Sequence, residues 1–213
     1  MRKLSNPPYL QVALDLTDLE EVKRVVSELP ESDRLILEAG TPLIKKEGLR
    51  VVEELRRLKG DAFVVADMKA MDVGRLEARL AYEAGADAAT VAGAASRETI
   101  EGFIDEAHEL GICAFMDTIA VQDPLAVLKG LKLKPDVVII HRAIDVEERV
   151  EFGFEEAKRV KGLGPMVAVA GGIKPDMVGE ALRSGADIII VGRYITKAED
   201  VGRAVGEFLE LLG

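Results

Sequence analysis

The feature that most constrains this chain is an alternation carried from one end to the other. Short apolar runs rich in β-branched residues, most closing on a polar or glycine-containing turn, alternate with stretches whose apolar residues recur at helical spacing. The runs are Leu10–Leu16, Arg34–Glu38, Ala62–Asp67, Ala88–Gly93, Ile112–Asp117, Val137–His141, Met166–Ala170 and Ile188–Val191, eight in all. Helical patterns follow near 18–29, 43–59, 72–85, 96–109, 123–130, 147–161, 174–184 and 198–212, several opened by Asp, Ser or Pro. Strands joined through helices pair in parallel, and eight right-handed crossovers in 213 residues suit a sheet closed on itself. The expectation is an α/β protein with a single (β/α)8 TIM barrel, one domain over residues 1–213. An open doubly wound sheet is the competing arrangement, and it calls for a glycine-rich phosphate turn after the first strand. Here that strand ends Ala13-Leu14-Asp15-Leu16-Thr17-Asp18, with no glycine.

Composition narrows the function classes. Hydrophobic residues are 48% but aromatics only 4%, with no Trp, so Val, Leu, Ile and Ala fill the core, as suits strands buried on both faces. A net charge of −10 argues against binding nucleic acid through a broad basic surface, while leaving room for a small anion held by local positive charge. The single cysteine, Cys113, excludes an intramolecular disulfide, and its setting in Ile112-Cys113-Ala114-Phe115-Met116 reads as a buried core thiol. The opening MRKLSNPPY lacks an apolar signal region, and no run approaches the ~18 apolar residues of a membrane span. The expected protein is soluble and cytoplasmic. Scarce amides (Asn6, Gln11, Gln122) beside 31% charged residues give a thermophile-like balance.

In a barrel, residues at the carboxyl ends of the strands converge on one face. They are Asp15, Glu38, Asp67, Asp117 and His141, with Lys69 and Asp72 following Asp67 in VVADMKAMD. Carboxylates so crowded repel one another unless a cation or a lysine compensates. Glu38 and Asp67, on adjacent strands, suit Mg2+, which uses one or two carboxylates and keeps positions open for substrate oxygens. Lys69 supplies a second positive charge. The competing reading makes Asp67 and Asp72 caps of the next helix and leaves Lys69 solvated. His141 is the candidate acid/base, with a structural histidine as its alternative, whereas His108 in Glu106-Ala107-His108-Glu109 reads as surface. The last two strands run into Ala170-Gly171-Gly172-Ile173 and Val191-Gly192-Arg193. Gly171, Gly172 and Gly192 let backbone N–H groups approach a phosphate, and Arg193 adds a charge-assisted contact; ordinary tight turns are the alternative. A repeated Gly-Ala-Asp (85–87 and 185–187) fits a helix ending on Gly before the next strand.

LQVALD (Leu10 to Asp15), EAGTPLI (Glu38 to Ile44), DMKAMDVG (Asp67 to Gly74), TVAGAA (Thr90 to Ala95) and AVAGG (Ala168 to Gly172) together resemble the 3-hexulose-6-phosphate synthases of the orotidine 5′-monophosphate decarboxylase superfamily. The resemblance covers nearly the whole chain from Leu10. It implies a reversible aldol condensation of formaldehyde with D-ribulose 5-phosphate to D-arabino-hex-3-ulose 6-phosphate. It further implies Mg2+ on Glu38 and Asp67, and Lys69, His141, Asp72, Asp15 and Asp117 as catalytic residues. A homodimer with shared sites follows, because Asp72 in this superfamily's motif reaches the neighbouring subunit. Orotidine-monophosphate decarboxylases typically carry Lys in place of Glu38 and need no metal. The 3-keto-L-gulonate-6-phosphate decarboxylases keep that Glu and Mg2+, but usually have Glu in place of Asp117 and Arg in place of Ile144. Asp117 therefore favours the synthases. Ala70 in place of their common Thr, Ala120 in place of Gly, and Arg142 are departures that make some decarboxylase side activity an expectation. A non-catalytic sugar-phosphate-binding barrel is the reading from another class; it could dispense with Lys69 and His141, both present.

Overall fold

The structure, a computed structural model, describes residues 4–146, 152 and 154–213. The chain enters β1 (Tyr9–Leu14) and α1 (Leu19–Glu28), then β2 (Leu35–Ala39), α2 (Thr41–Glu47) and α3 (Arg50–Leu58). Next come β3 (Phe63–Ala70), α4 (Gly74–Glu83), β4 (Ala88–Ala92), α5 (Arg97–Leu110) and β5 (Cys113–Asp117). These lead to α6 (Pro124–Gly130), β6 (Val137–His141), a single 3-10 turn (Ile144–Val146) and α7 (Phe154–Lys161). Last are β7 (Met166–Ala170), α8 (Pro175–Arg183), β8 (Ile188–Val191), α9 (Arg193–Thr196) and α10 (Val201–Leu212). Every strand pairs in parallel with its sequence neighbour, and β8 pairs with β1, so the sheet is a closed eight-stranded barrel and the open sheet is excluded.

Period-two alternation sorts each strand into an outer and an inner set. Leu10, Val12 and Leu14 of β1, or Val64 and Ala66 of β3, face the helices and join Val22, Leu55, Ile104 and Phe208 in the larger apolar cluster. The alternate residues Ile36, Phe63, Val65, Phe115, Ile139, Ala168 and Ile190 fill the barrel interior as a second cluster. Large Phe63 and Phe115 set beside small Ala88 and Ala168 let those layers interdigitate.

The amino-terminal rim carries a repeated clamp. Asp87, Asp136 and Asp187 each precede an even-numbered strand. Their Oδ2 atoms accept the Val64, Ala114 and Val167 N–H groups at 3.0, 2.8 and 2.8 Å. Each also meets a basic side chain from a helix: Arg56 at 2.5 Å, His108 at 3.0 Å and Lys161 at 2.6 Å. The Gly-Ala-Asp repeat thus turns the helix and also ties the new strand to its predecessor. His108 is at the surface as expected, but it has this partner.

Several boundaries differ from the sequence reading. The helix expected near 43–59 is two helices, broken where Gly48 takes φ 73°, a left-handed conformation that glycine adopts without steric cost. β3 runs on to Ala70, so Lys69 lies inside the strand rather than after it. The short α9 was not foreseen. Cys113 is only partly buried, at the open amino-terminal end of the interior. Of the helix expected near 147–161, residues 147–151 and 153 lie outside the described residues.

Candidate active site

Five of the eight inward rows end, at the carboxyl rim, on a polar side chain: Glu38 on β2, Asp67 on β3, Thr90 on β4, Asp117 on β5 and His141 on β6. Asp15 follows one residue after β1. The register Glu38↔Val65 sets Glu38 one inward layer below Asp67.

A bulge brings Lys69 into this ring. Pairing of Ala66 with Ala89 resumes only at Ala70 with Val91, so β3 uses four residues where β4 uses two. Within the bulge Lys69 takes φ 44°, a left-handed conformation a side-chain-bearing residue adopts only when its surroundings enforce it. Thr90 enforces it. Its Oγ1 accepts the Lys69 N–H at 2.8 Å and donates to Asp67 Oδ1 at 2.7 Å. The Lys69 ammonium then lies 2.5 Å from Asp67 Oδ2 and 3.2 Å from Asp117 Oδ2. Thr41, at the start of α2, donates to the same Asp67 Oδ2 at 2.6 Å. Asp117 Oδ2 also lies 2.8 Å from His141 Nδ1, and its Oδ1 accepts the Ile119 N–H at 2.8 Å. Asp67, Lys69, Asp117 and His141 therefore form one continuous chain of contacts.

The charges are strongly interdependent. Burial alone would lower the Lys69 pKa, but the Asp67, Asp117 and Glu38 charges outweigh it and hold the ammonium above its ordinary value. Burial would raise Asp117, yet the His141 hydrogen bond and charge, with Lys69, hold it below the usual carboxylate value. Glu38 moves the other way: burial, then repulsion from Asp67 and Asp15, push it well above its ordinary range against the opposing Lys69 charge and the Gln11 hydrogen bond. Asp15 stands open to solvent at the mouth, but surrounding protein and the Asp67 charge raise it too. It is wedged between two turns: a Cβ on Gly40 would meet its Oδ1, and one on Gly192 would lie 3.5 Å from its Oδ2.

Glu38 is the under-compensated member. Among its hydrogen bonds the described residues supply only that from Gln11 Nε2, at 2.5 Å. Gln11 is itself fully buried, and its Oε1 has no partner among the described residues. A carboxylate so placed, one layer from Asp67, fits a divalent cation bound through two carboxylates and completed by substrate or solvent oxygens. No group of three or more His, Cys, Asp or Glu that could hold a metal alone occurs among the described residues.

The remaining expected residues are placed as follows. Gly171 (φ 106°) and Gly172 (φ 69°) turn the chain between β7 and α8, and Gly192 leads into α9, whose first residue Arg193 is exposed. A short extra helix after β8 is a recurrent part of barrel phosphate sites. Asp72 stays apart from the ring. It is exposed and its Oδ1 accepts the Val73 N–H at 2.8 Å. The helix-capping reading fails, since neither Asp67 nor Asp72 caps α4, whose first turn has no side-chain cap. Thr41, Thr90 and Gln11 were missed by sequence reasoning. For Thr90 and Gln11 the available signal was a polar residue at an inward position of an otherwise apolar strand.

The chain matches the model of the orotidine 5′-phosphate decarboxylase / HUMPS family over residues 8–208. It is 51% identical over 212 residues to a bifunctional enzyme Fae/Hps from Methanothrix thermoacetophila, an alignment covering 99% of this chain and 54% of that protein. The chain thus spans about half the length of the curated relatives it matches. Among solved structures it resembles a 3-hexulose-6-phosphate synthase, with a TM-score of 0.86 and 32% identity over 96% of this chain and 100% of that one. It also resembles a 3-keto-L-gulonate-6-phosphate decarboxylase from Vibrio cholerae, with a TM-score of 0.81 and 27% identity over 97% and 98% of the two chains. A closed barrel bearing this rim, matched over nearly its full length, places the chain in the orotidine 5′-phosphate decarboxylase / HUMPS family.

Proposed function

We propose that this barrel is a 3-hexulose-6-phosphate synthase: a cytoplasmic, Mg2+-dependent enzyme that condenses formaldehyde with D-ribulose 5-phosphate to D-arabino-hex-3-ulose 6-phosphate, reversibly, through an enediolate. The observation that carries the reading is the Lys69 ammonium held between Asp67 and Asp117, with His141 Nδ1 on the same Asp117 oxygen. The 32% identity to a synthase structure and the Asp at position 117 support it over the decarboxylases.

With Nδ1 directed to Asp117, His141 turns its other ring nitrogen to the substrate and removes a proton from C1. Two electrons pass from that C–H bond into the enediolate, whose developing oxyanion meets the preorganised Lys69 charge. C1 then attacks the formaldehyde carbon, the carbonyl electrons move to oxygen, and the proton held by His141 returns to the new alkoxide. Glu38 and Asp67 would hold Mg2+, which when bound would supply Lewis-acid stabilisation of the developing oxyanion. Gly171, Gly172, Gly192 and Arg193 hold the phosphate, and Asp15, between the β2–α2 and β8–α9 turns, orients the sugar end.

The active form is a homodimer with shared sites. Met71, Val73, Leu76 and Leu80 are 57, 55, 54 and 39% exposed and flank or follow Asp72, an apolar surface of the kind a second copy covers.

Turnover of D-ribulose 5-phosphate plus formaldehyde, of 3-keto-L-gulonate 6-phosphate and of orotidine monophosphate, each with and without Mg2+, tests the reading. Condensation that needs Mg2+ is expected, with at most slow decarboxylation of the gulonate. Turnover of a decarboxylation substrate alone would replace the reading. Sugar-phosphate binding without turnover of any would favour a non-catalytic barrel.

A further inference from the structure

Arg142 follows His141 at the end of β6, and neither the proton transfer nor the metal uses it. Three of its groups nevertheless engage the turn after β7. Its N–H donates to the Ala170 carbonyl at 3.0 Å, and its Nη2 donates to the Gly171 carbonyl at 2.9 Å. A Cβ on Gly171 would lie 1.8 Å from the Arg142 carbonyl oxygen, so only glycine admits this approach. The other side of the guanidinium is also covered, with its carbon 5.5 Å from the centre of the Phe152 ring, which packs against Phe154 at the start of α7.

Peptide geometry turns this clamp into a functional device. In a planar trans peptide, C=O and N–H point in opposite directions. Fixing the Gly171 carbonyl toward Arg142 therefore fixes the Gly172 N–H away from it, and that N–H donates to no carbonyl among the described residues. Two consecutive glycines at φ 106° and 69° have little steric resistance to rotation of the peptide between them. The restraint has to come from outside the turn, and a charged donor on the carbonyl is stronger than a neutral one.

We propose that Arg142 is a positioning residue for the substrate phosphate: it locks the Gly171–Gly172 peptide with its N–H presented to the anion. This rests on the reading of the β7 and β8 turns as the phosphate site. It assigns part of the affinity for a phosphorylated sugar to a side chain outside the glycine turns and Arg193.

Arg142→Ala, Arg142→Met and Arg142→Lys, with Arg193→Ala as a separate probe, give the test. The measurements are KM and kcat for D-ribulose 5-phosphate at saturating formaldehyde, and the Kd of inorganic phosphate by calorimetry. The Ala and Met variants are expected to raise KM and the phosphate Kd about tenfold while kcat stays within about twofold, the pattern of lost uniform binding. The Lys variant, retaining a charged donor, is expected to recover most of the affinity, and it serves if the Ala variant folds poorly. If Arg193→Ala weakens phosphate binding while Ala and Met at 142 do not, the clamp is overturned and the phosphate reading stands. If no variant at either position changes KM or Kd, both fall. A loss confined to kcat overturns the clamp.

Discussion

At the residue scale, the ring divides into groups whose charges are settled within the protein and one whose charge is not. Lys69 is held protonated by Asp67, Asp117 and Glu38, and Asp117 is held ionised by His141 and Lys69. Glu38 has mainly like charges around it and only Gln11 as a donor among the described residues. Its raised pKa means that, above the ordinary value of 4.5, the unfolded chain ionises freely while the native chain resists ionisation. Native stability therefore falls as pH rises from that value toward the raised one, and the loss remains above it. Glu38→Gln removes the penalty. Without metal it should melt higher than the parent at pH 7, on a scale of roughly 2–4 °C per kcal/mol for a domain of this size, with the gain shrinking toward pH 4. Mg2+ should raise the melting temperature of the parent but not of the variant. Calorimetric scans at two pH values with and without Mg2+ check both. Most of this ring was legible in the sequence, because inward positions at strand ends are two residues apart and ionisable side chains stand out there. Thr90 was legible only as a polar residue at an inward position; that it orders both Lys69 and Asp67 depends on the bulge, which the sequence does not announce.

At the element scale, the two rims of the barrel have different roles. The amino-terminal rim is tied by the three Asp clamps, and its chemistry is structural. Asp87→Ala leaves the buried Val64 N–H without its acceptor and the Arg56 charge with carbonyl partners alone, and should cost about 2–3 kcal/mol, read from the urea midpoint, with kcat little changed. The carboxyl rim instead holds backbone in unfavourable conformations. Ala120, in the turn after β5, sits at φ 62°, where a glycine would carry no steric penalty. Ala120→Gly should stabilise the protein by about 0.5–1 kcal/mol, net of the greater freedom glycine gives the unfolded chain, and the same urea titration measures it. Element types followed from periodicity. The break at Gly48 and the extra α9 did not, because a one-residue left-handed kink and a single helical turn both lie below the length at which a period can be recognised.

At the scale of the molecule, closure was legible from the count of βα units, and the β8–β1 pairing completes it. The proposed assembly leaves a weaker trace in sequence, since Met71, Val73, Leu76 and Leu80 read as an ordinary amphipathic approach to α4 until their exposure is seen. If Asp72 serves the other subunit, Lys69→Ala and Asp72→Asn chains, each inactive alone, should regain about a quarter of parental activity when co-expressed, the statistical yield for a twofold dimer with two shared sites. No recovery would assign both residues to one subunit. On the proposed function, this rim makes an enediolate from a ketose phosphate. Deuterium wash-in at C1 of D-ribulose 5-phosphate, followed by NMR in D2O without formaldehyde, measures that step directly. The parent enzyme should exchange one C1 hydrogen stereospecifically, and Lys69→Ala should do so slower by roughly two orders of magnitude, the scale for losing a preorganised charge at a developing oxyanion. Absence of exchange in the parent, or an unchanged rate in the variant, would contradict the account.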